Sequence, residues 1–184
     1  MSDESGSDAT TDQSVFEGLF ERLLKPEGVF ADELRAAGYD VRNPRLRYPT
    51  RVLLDTLDVA SRHVYPGMPR EEAHRKLGQR FADRYLGTIL GRVTRTLVLA
   101  LGLERFLMQM PKIASLSSTG IQVKVHKQPG GELLLAWHGE ALSPDFLAGA
   151  LEGGAETLSV RMFHVEIVRR EPGAFDLKVT GVRP

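Results

Sequence analysis

The residues with the most chemical potential lie close together in this sequence, in the segment VYPGMPREEAHRKLGQRFADRY from Val64 to Tyr85. The segment holds one histidine, an adjacent pair of glutamates, five basic residues and three aromatic residues. Side chains of these types can transfer protons, bind a metal ion or contact nucleic-acid phosphates. The same residues also suit the start and the solvent-facing side of a helix, so their spacing must decide between the two interpretations.

The histidines of the chain do not have the spacing of a metal site. Zinc and iron sites need three or four converging ligands, commonly with two histidines one helical turn apart on one helix face. No two histidines in the sequence are four residues apart, and the chain has no cysteine. We therefore predict no metal ion and no cofactor. The histidines are His63, His74, His126, His138 and His164.

Motifs of covalent catalysis and of nucleotide binding are also missing. The G-x-S-x-G nucleophile turn does not occur, and neither does the phosphate-binding G-x-x-x-x-G-K-[ST] loop. The neighbouring carboxylates Glu71 and Glu72 have no apolar surroundings in the sequence of the kind that turns a carboxyl group into a general acid. The same holds for Asp55 and Asp58, so we interpret both pairs as surface acids. The sequence predicts a protein without enzymatic activity.

Helix-start signals explain most of the segment. Pro69 suits the first helical position, and Glu71 and Glu72 follow where the helix dipole favours negative charge. A buried stripe recurs every four residues, at Ala73, Leu77, Phe81 and Tyr85. The remaining polar residues are expected to face water: Arg70, His74, Arg75, Lys76, Gln79 and Asp83. Gly78, Gly87 and Gly91 lie inside the helical region, and we expect close backbone approach between crossing helices to be the reason, or a kink between two helices near Gly87.

The basic residues are concentrated between Arg42 and Arg105, although the formal net charge of the chain is zero. Such a region can attract a protein partner, nucleic acid or anionic lipid, or it can simply solvate long helices. A helix-turn-helix for DNA is not favoured, because the helical stripe continues past Gly78, where a turn should follow. The candidate interaction surface consists of Tyr65, Arg75, Arg80 and Arg84.

Helical periodicity fills the first part of the chain. Residues 1–14 are polar and acidic, and we predict that they form a disordered tail. About five helices are predicted within residues 15–112, the last of them apolar nearly all round, as a central helix should be. Pro111 is expected to close this helical half.

The hydrophobic period changes from helical to two in residues 119–184. The alternation in GIQVKVHKQPGGELLLAWHG, with its QPGG turn, predicts a hairpin. A helix follows, with Ser143 as its N-cap before Pro144, and a second alternating pair of strands ends the chain. The predicted fold class is therefore α+β: one domain over residues 15–184, with a helical half packed on a strand-strand-helix-strand-strand antiparallel unit.

No stretch of the sequence reaches the roughly 18–20 apolar residues that a membrane-spanning helix needs. The N-terminus, MSDESGSDATTDQS, is acidic and lacks the basic start and apolar core of a secretory signal. We expect a cytoplasmic protein without a membrane span.

The order of motifs resembles a known family. The runs VFEGLFERLL, RYP, VYPGMPREEAHRKLGQRF, GTILGRV and SPDFLAGALEGG together are similar to an uncharacterised paralogous family of roughly 190-residue proteins expanded in myxobacteria. The arrangement of a helical half before strand, strand, helix, strand, strand is also similar, at the level of the fold, to the haem NO-binding, four-vinyl-reductase and transport-particle superfamily. This second resemblance implies a dimeric ligand-sensing or assembly module.

The site motifs of that superfamily are not matched. Gas-binding relatives carry a Tyr-x-Ser-x-Arg run near the second strand, where this chain has WHGEA from Trp137 to Ala141. Their proximal histidine lies on a late helix, and RFLMQM from Arg105 to Met110 contains none. The vinyl-reductase type uses cysteines for zinc. The resemblance therefore implies the fold and not the haem or the zinc.

We predict a non-enzymatic regulatory or assembly module that acts through contact with a protein partner or with a second copy in a homodimer. The alternative is a small-molecule sensor with an apolar pocket between the central helices and the sheet, holding a lipid, an aromatic compound or a porphyrin. Its candidate lining residues are Tyr85, Arg92 and Trp137. A nucleic-acid-binding protein that uses the basic helices is the second alternative.

Overall fold

A helical half and a sheet half follow each other along the chain in the computed structural model, which describes residues 9–139, 142–160 and 162–182. The first elements are β1 (Thr10–Asp12), α1 (Gln13–Phe16), a π-helix (Glu17–Leu24), α2 (Gly28–Ala36), β2 (Arg47–Pro49), α3 (Thr50–Val64), α4 (Arg70–Tyr85), α5 (Ile89–Leu101), α6 (Leu103–Met108) and α7 (Met110–Ser117). The second half comprises β3 (Gln122–Lys127), β4 (Leu133–His138), α8 (Pro144–Thr157), β5 (His164–Glu171) and β6 (Ala174–Thr180). Within the described residues, no helix is long and apolar enough to cross a membrane.

The four strands of the second half form one antiparallel sheet in the order β3-β4-β6-β5. β4 and β6 are its central strands, and their alternate residues are buried against the helices. The register places Leu135 opposite Leu177 and Trp137 opposite Phe175. The predicted α+β fold, with a helical half and a strand-strand-helix-strand-strand unit, is confirmed.

Two hydrophobic clusters stabilise the structure. The first packs the π-helix, α2, α3 and α4 around buried rings such as Phe16, Phe20 and Tyr39. The second packs α5 to α8 on the sheet, with Leu107 and Leu135 almost completely buried. Burial of apolar surface is the main favourable term in folding, so these clusters fix how the helices lie on the sheet.

The start of the fold lies earlier than the sequence predicts. Residues 10–12 were expected in the disordered tail, but they form β1, which pairs antiparallel with β2. Thr11 is 1% exposed, and its hydroxyl lies within hydrogen-bonding distance of Thr50 and Ser118. These partners are distant in sequence, so local composition gives no sign of them. Residues 1–8 of the predicted tail lie outside the described residues.

The end of the helical half also differs from the prediction. Pro111 does not close it; Pro111 lies in the first turn of α7, where a missing backbone N–H costs nothing. The apolar stretch after Tyr85 is divided into three helices, with Gly102 between α5 and α6 at a φ of +78°. A glycine adopts this conformation without steric cost, so the chain can turn there.

Helices α4 and α8 cross with their backbones in contact. A Cβ atom at Gly78 would lie 2.1 Å from the carbonyl oxygen of Phe146 on α8. In return, Cβ atoms at Gly149 and Gly153 would lie 2.0 and 2.1 Å from carbonyl oxygens on α4. Any side chain at these three positions would force the helices apart, so the expected reason for Gly78 is confirmed.

This contact predicts opposite effects for two adjacent glycines of α8. Gly153→Ala should lower the free energy of unfolding by about 2 kcal/mol or more, because its methyl group would collide with the Gln79 carbonyl oxygen. Gly154→Ala should raise it by about 0.5–1 kcal/mol, because alanine favours a helix and the nearest atom to its Cβ would be 4.0 Å away. Urea unfolding followed by circular dichroism measures both. Equal effects of the two substitutions would contradict the crossing geometry.

Candidate functional site

A cavity of about 220 Å³ lies where the two hydrophobic clusters meet, between helices α3 to α8 and strand β4. Its walls are almost entirely apolar, and six of the described lining residues carry an aromatic ring. The aromatic lining residues are Phe81, Tyr85, Phe106, Trp137, Phe146 and Phe163. Among the described residues that line the cavity, none is an acid, a base or a histidine. The site can therefore bind an uncharged apolar molecule without desolvating a charge of the protein.

The size of the cavity limits what it can hold. An engineered apolar cavity of about 150 Å³ takes up benzene, whereas sites for drug-sized ligands commonly have about 300–1,000 Å³. The cavity of this chain lies between the two. It suits a molecule of one or two small rings or a short acyl chain.

Tyr85, the last residue of α4, lines the cavity on the helical side. Burial raises the pKa of Tyr85 to about 12, although hydrogen bonds to Thr94 and Ser14 act in the opposite direction. The phenol is therefore protonated at neutral pH. It offers the cavity a neutral hydroxyl and not a phenolate.

Trp137 lines the cavity on the side of the sheet. Its ring stacks on that of Phe175, its direct neighbour on β6, with 6.0 Å between centroids and 8° between planes. The side chain is buried, and its indole N–H has no hydrogen-bond partner among the described residues. The strand register and the stack fix this ring in the wall.

Arg92 is placed differently from the other two candidate lining residues. It is exposed on α5, whereas Gly91 and Val98 are the buried residues of that helix. Arg92 is therefore corrected from a lining residue to a surface residue. The α5 residues that reach the cavity wall are Thr94 and Val98.

The prediction for His74 was wrong. It was expected to face water, but it is 1% exposed because α8 covers this side of α4. Its Nδ1 lies 2.8 Å from Oγ of Ser143, which lines the cavity and caps α8 by accepting the N–H of Phe146. Helical spacing showed which side of α4 is apolar, but it gave no sign that a second helix would cover the polar side.

Asp58 lies on the other side of the His74 ring, with Oδ1 3.0 Å from Nε2. This contact is too bent for a hydrogen bond, and the Asp58 carboxylate accepts two hydrogen bonds from Arg70. Ser143, His74 and Asp58 are the residue types of a hydrolase triad. Here, however, the serine oxygen accepts a capping N–H and the carboxylate is bound by an arginine. The cluster therefore joins α3, α4 and α8 at one end of the cavity.

One of the four residues predicted to form an interaction surface is engaged inside the protein. Arg75 forms two hydrogen bonds to Glu152 on α8 and a third to the Val165 carbonyl on β5, so it is corrected to a structural residue. Burial raises the pKa of Glu152, but the hydrogen bonds from Arg75 and Gln79 outweigh burial and leave this pKa lowered.

Tyr65, Arg80 and Arg84 remain accessible. The Arg80 guanidinium donates to the Tyr65 hydroxyl at 3.2 Å, and the Lys76 ammonium lies 6.0 Å from the Tyr65 ring centroid. Arg84 is exposed beside Asp83. These residues lie on and before α4, on the side of the helix that α8 does not cover. The acids Asp83 and Glu72 lie on the same helix and pair with Arg84 and Lys76.

Metal-binding geometry does not occur in the described part of the chain, where no group of three or more histidines and acids is placed to hold an ion.

Comparison with known proteins gives a family and a fold. A family model described as "Protein of unknown function (DUF2378)" matches residues 9–180. No curated protein matches the sequence.

Among solved structures, an H-NOX protein from S. oneidensis in the Fe(II)NO ligation state is similar with a TM-score of 0.68 and 13% identity, covering 91% of this chain and 97% of that one. An oxygen-binding H-NOX domain related to soluble guanylate cyclases has a TM-score of 0.65 and 15% identity, covering 91% and 92%. A structure from work on heme distortion in the H-NOX family has a TM-score of 0.67 and 14% identity, with the same coverage. The chain has the H-NOX fold.

Titration of His74 should be visible in the stability of the protein. Burial lowers the pKa of His74 below its ordinary value of 6.5; the negative Asp58 raises it and the positive Arg70 lowers it further. As pH falls below about 6.5, the unfolded chain takes up a proton that the folded chain does not, so the free energy of unfolding decreases until the folded-state pKa is reached.

The measurement is urea unfolding between about pH 5 and 7.5, above the range in which carboxyl groups with lowered pKa values titrate. His74→Gln should make the free energy of unfolding less dependent on pH in this range. His126→Gln, which replaces an exposed histidine on β3, is the control substitution. A pH dependence that is the same in His74→Gln as in the unaltered chain would contradict the buried neutral histidine.

Proposed function

The chain belongs to the DUF2378 family of proteins of unknown function, and we propose that it is a sensor module that binds a small, uncharged, apolar molecule in the cavity between its helices and its sheet. The observation that carries the proposal is the cavity itself, which is lined by apolar and aromatic side chains and contains no charged described residue. Protein interiors are normally packed without such voids, so a cavity of this size in a core is typical of a binding site. The H-NOX fold supports this sensor function over the assembly function.

Haem is the ligand that the fold suggests, since similar structures are described with Fe(II)NO, with oxygen and with heme distortion. The residues of this chain do not fit it. Haem iron is held by histidine, cysteine thiolate or tyrosinate, or by methionine together with histidine. The described lining contains neither histidine nor cysteine, so its methionine, Met110, has no histidine to act with. Tyr85 stays protonated at neutral pH, and no described lining residue carries the positive charge that would pair with a haem carboxylate. A porphyrin is therefore not the ligand that we propose.

An aromatic compound or a short aliphatic molecule fits better. The rings of Phe81, Phe106 and Phe146 offer flat apolar contact, and burial of apolar surface contributes about 25 cal/mol per Å². A long-chain lipid would need more space than the cavity has. This leaves a compact molecule of one or two rings, or a chain of a few carbons.

A sensor also needs an output, and we propose that this is contact with a protein partner or with a second copy of the chain. The accessible surface formed by Tyr65, Arg80 and Arg84 supports this part of the proposal. It lies on α4, the helix that also supplies Phe81 and Tyr85 to the cavity wall. Nucleic-acid binding through the basic helices stays a second candidate function. The single domain and the expansion of this family in myxobacteria stay predictions.

Binding in the cavity can be tested with p-xylene as the probe. A ligand that binds only the folded state raises the unfolding temperature, by an amount that grows with its concentration. We expect p-xylene to raise the unfolding temperature of the unaltered chain. Gly154→Leu should abolish the effect, because residue 154 lines the cavity and has room for a larger side chain that would fill it.

Gly154→Ala is the matched control and should still respond to p-xylene, because a methyl group leaves most of the cavity open. A p-xylene effect of equal size in Gly154→Leu and Gly154→Ala would mean that the probe binds elsewhere. No effect in any of the three proteins would contradict the proposed function.

A further inference from the structure

The outer side of helix α5 is apolar although it is exposed. Gly91 and Val98 are buried on the inner side of this helix, and Thr94 and Val98 reach the cavity wall. Helical spacing places a second set of residues on the opposite side, and all of them are exposed. We call this set the α5 outer face; it consists of Ile89, Arg92, Val93, Thr96, Leu99 and Ala100.

The aliphatic side chains of the α5 outer face are unusually open to solvent. Ile89 is 77% exposed, Leu99 is 69% exposed and Val93 is 50% exposed. Single exposed hydrophobic residues are common on protein surfaces and need no explanation. Three of them on one side of one short helix form a continuous apolar strip, and such strips are typical of surfaces that bind a partner or a membrane.

The charge around this strip has one sign. The sequence contains three arginines and no acid between Arg84 and Leu103. Arg92 lies on the α5 outer face and Arg95 lies at its edge, and both are exposed. Neither guanidinium forms an ion pair with another residue of the described ranges, whereas Arg75 is held by Glu152. Whatever covers this face must therefore supply the negative charge itself.

The polar groups of the face are almost entirely donors. A guanidinium has five N–H donors and no acceptor. The Thr96 hydroxyl donates to the Arg92 backbone carbonyl, so its hydrogen is already used within the helix. Protein–protein interfaces ordinarily carry about one hydrogen bond per 100–200 Å² and are enriched in aromatic residues. The α5 outer face has no aromatic ring and no carboxylate or amide acceptor, so it fits a protein partner poorly.

A second copy of the chain and a nucleic acid also fit this face poorly. In a symmetric dimer the same patch meets itself, so the arginines of both copies would approach each other without a carboxylate between them. A nucleic-acid backbone would pair with the arginines, but it offers no apolar surface to Ile89, Val93 and Leu99. A lipid surface has both properties, since its phosphate oxygens are acceptors and its acyl region accepts aliphatic side chains.

We propose that the α5 outer face binds the surface of a membrane that contains anionic lipids. Ile89, Val93 and Leu99 enter the boundary between head groups and acyl chains, while Arg92 and Arg95 bind lipid phosphates. The helix lies on the membrane, because its 13 residues are too few to cross a hydrocarbon core. This inference goes beyond the proposed function and does not depend on a ligand in the cavity.

Co-sedimentation of the full chain with lipid vesicles tests the inference. One set of vesicles consists of phosphatidylcholine alone, and a second set contains about one third phosphatidylglycerol. The chain should bind the second set with a much larger partition coefficient, because the arginines are attracted to anionic head groups. This preference should decrease as salt is added, since salt screens the attraction between exposed charges.

One pair of substitutions tests the apolar strip. Leu99→Gln should lower the partition coefficient for the anionic vesicles about tenfold, because this side chain no longer buries apolar surface in the membrane. Val29→Gln is the matched control and should leave the coefficient unchanged. Val29 is 68% exposed on α2, which makes it as open as Leu99, but it lies outside the α5 outer face.

A second pair of variants tests the charges. Replacing both Arg92 and Arg95 by Gln should lower the partition coefficient for the anionic vesicles about tenfold and should remove most of its salt dependence. The control replaces Arg35 and Arg62 by Gln. This control has the same change of net charge, but its arginines are bound to Asp32 and Glu33 and lie outside the α5 outer face, so its effect should be much smaller.

The outcomes are decisive in either direction. Equal binding to both kinds of vesicle, no binding to either, or equal effects of Leu99→Gln and Val29→Gln would show that the inference is wrong. A dimer that sedimentation velocity detects without vesicles, and that Leu99→Gln dissociates, would make a second copy the occupant of the face and would also overturn it. If Leu99→Gln fails to fold by circular dichroism, the arginine variants decide. None of these measurements uses p-xylene, so the cavity can fail its own test independently.

Discussion

The backbone contact between α4 and α8 is the constraint on which the rest of this structure depends. Gly78, Gly149 and Gly153 let the two helices approach until the carbonyl oxygens of one meet the Cα positions of the other. This approach covers His74 and brings Arg75 to Glu152. It also fixes α8 above the sheet. On the cavity side of the crossing, α8 carries small residues such as Ala150 and Gly154, which leave space that larger side chains would fill. One sterically required crossing thus sets both the polar cluster and the cavity beside it.

The fold and the cavity chemistry of this chain point in different directions. The H-NOX fold is shared with a protein described in an Fe(II)NO ligation state and with a domain described as oxygen-binding, at identities of 13% and 15%. Function belongs to the side chains of a site and not to the fold that carries them. The described lining of this chain has no imidazole, no thiol and no charge. The same space between helices and sheet is therefore available to a different ligand.

Periodicity predicted the elements of this structure because it depends on neighbours in sequence. The start of α4 after Pro69, its buried stripe through Leu77, and the two hairpins around α8 all follow from such local patterns. The reason for Gly78 could also be predicted, because a glycine inside a helix needs one. Tyr85 and Trp137, expected at a pocket between helices and sheet, do line the cavity; their function as ligand contacts stays a prediction.

The sequence did not predict the contacts between segments that lie far apart along the chain. β1 forms because β2 and Ser118 meet it, and His74 is buried because α8 covers it. Arg75 appeared free because its partner, Glu152, lies far along the chain. The most direct test of the account is a crystal structure of the protein under xenon pressure, since xenon enters dry apolar cavities. We predict xenon between Tyr85, Trp137 and Phe146. A well-ordered structure without xenon among these residues, their side chains packed together, would contradict the account.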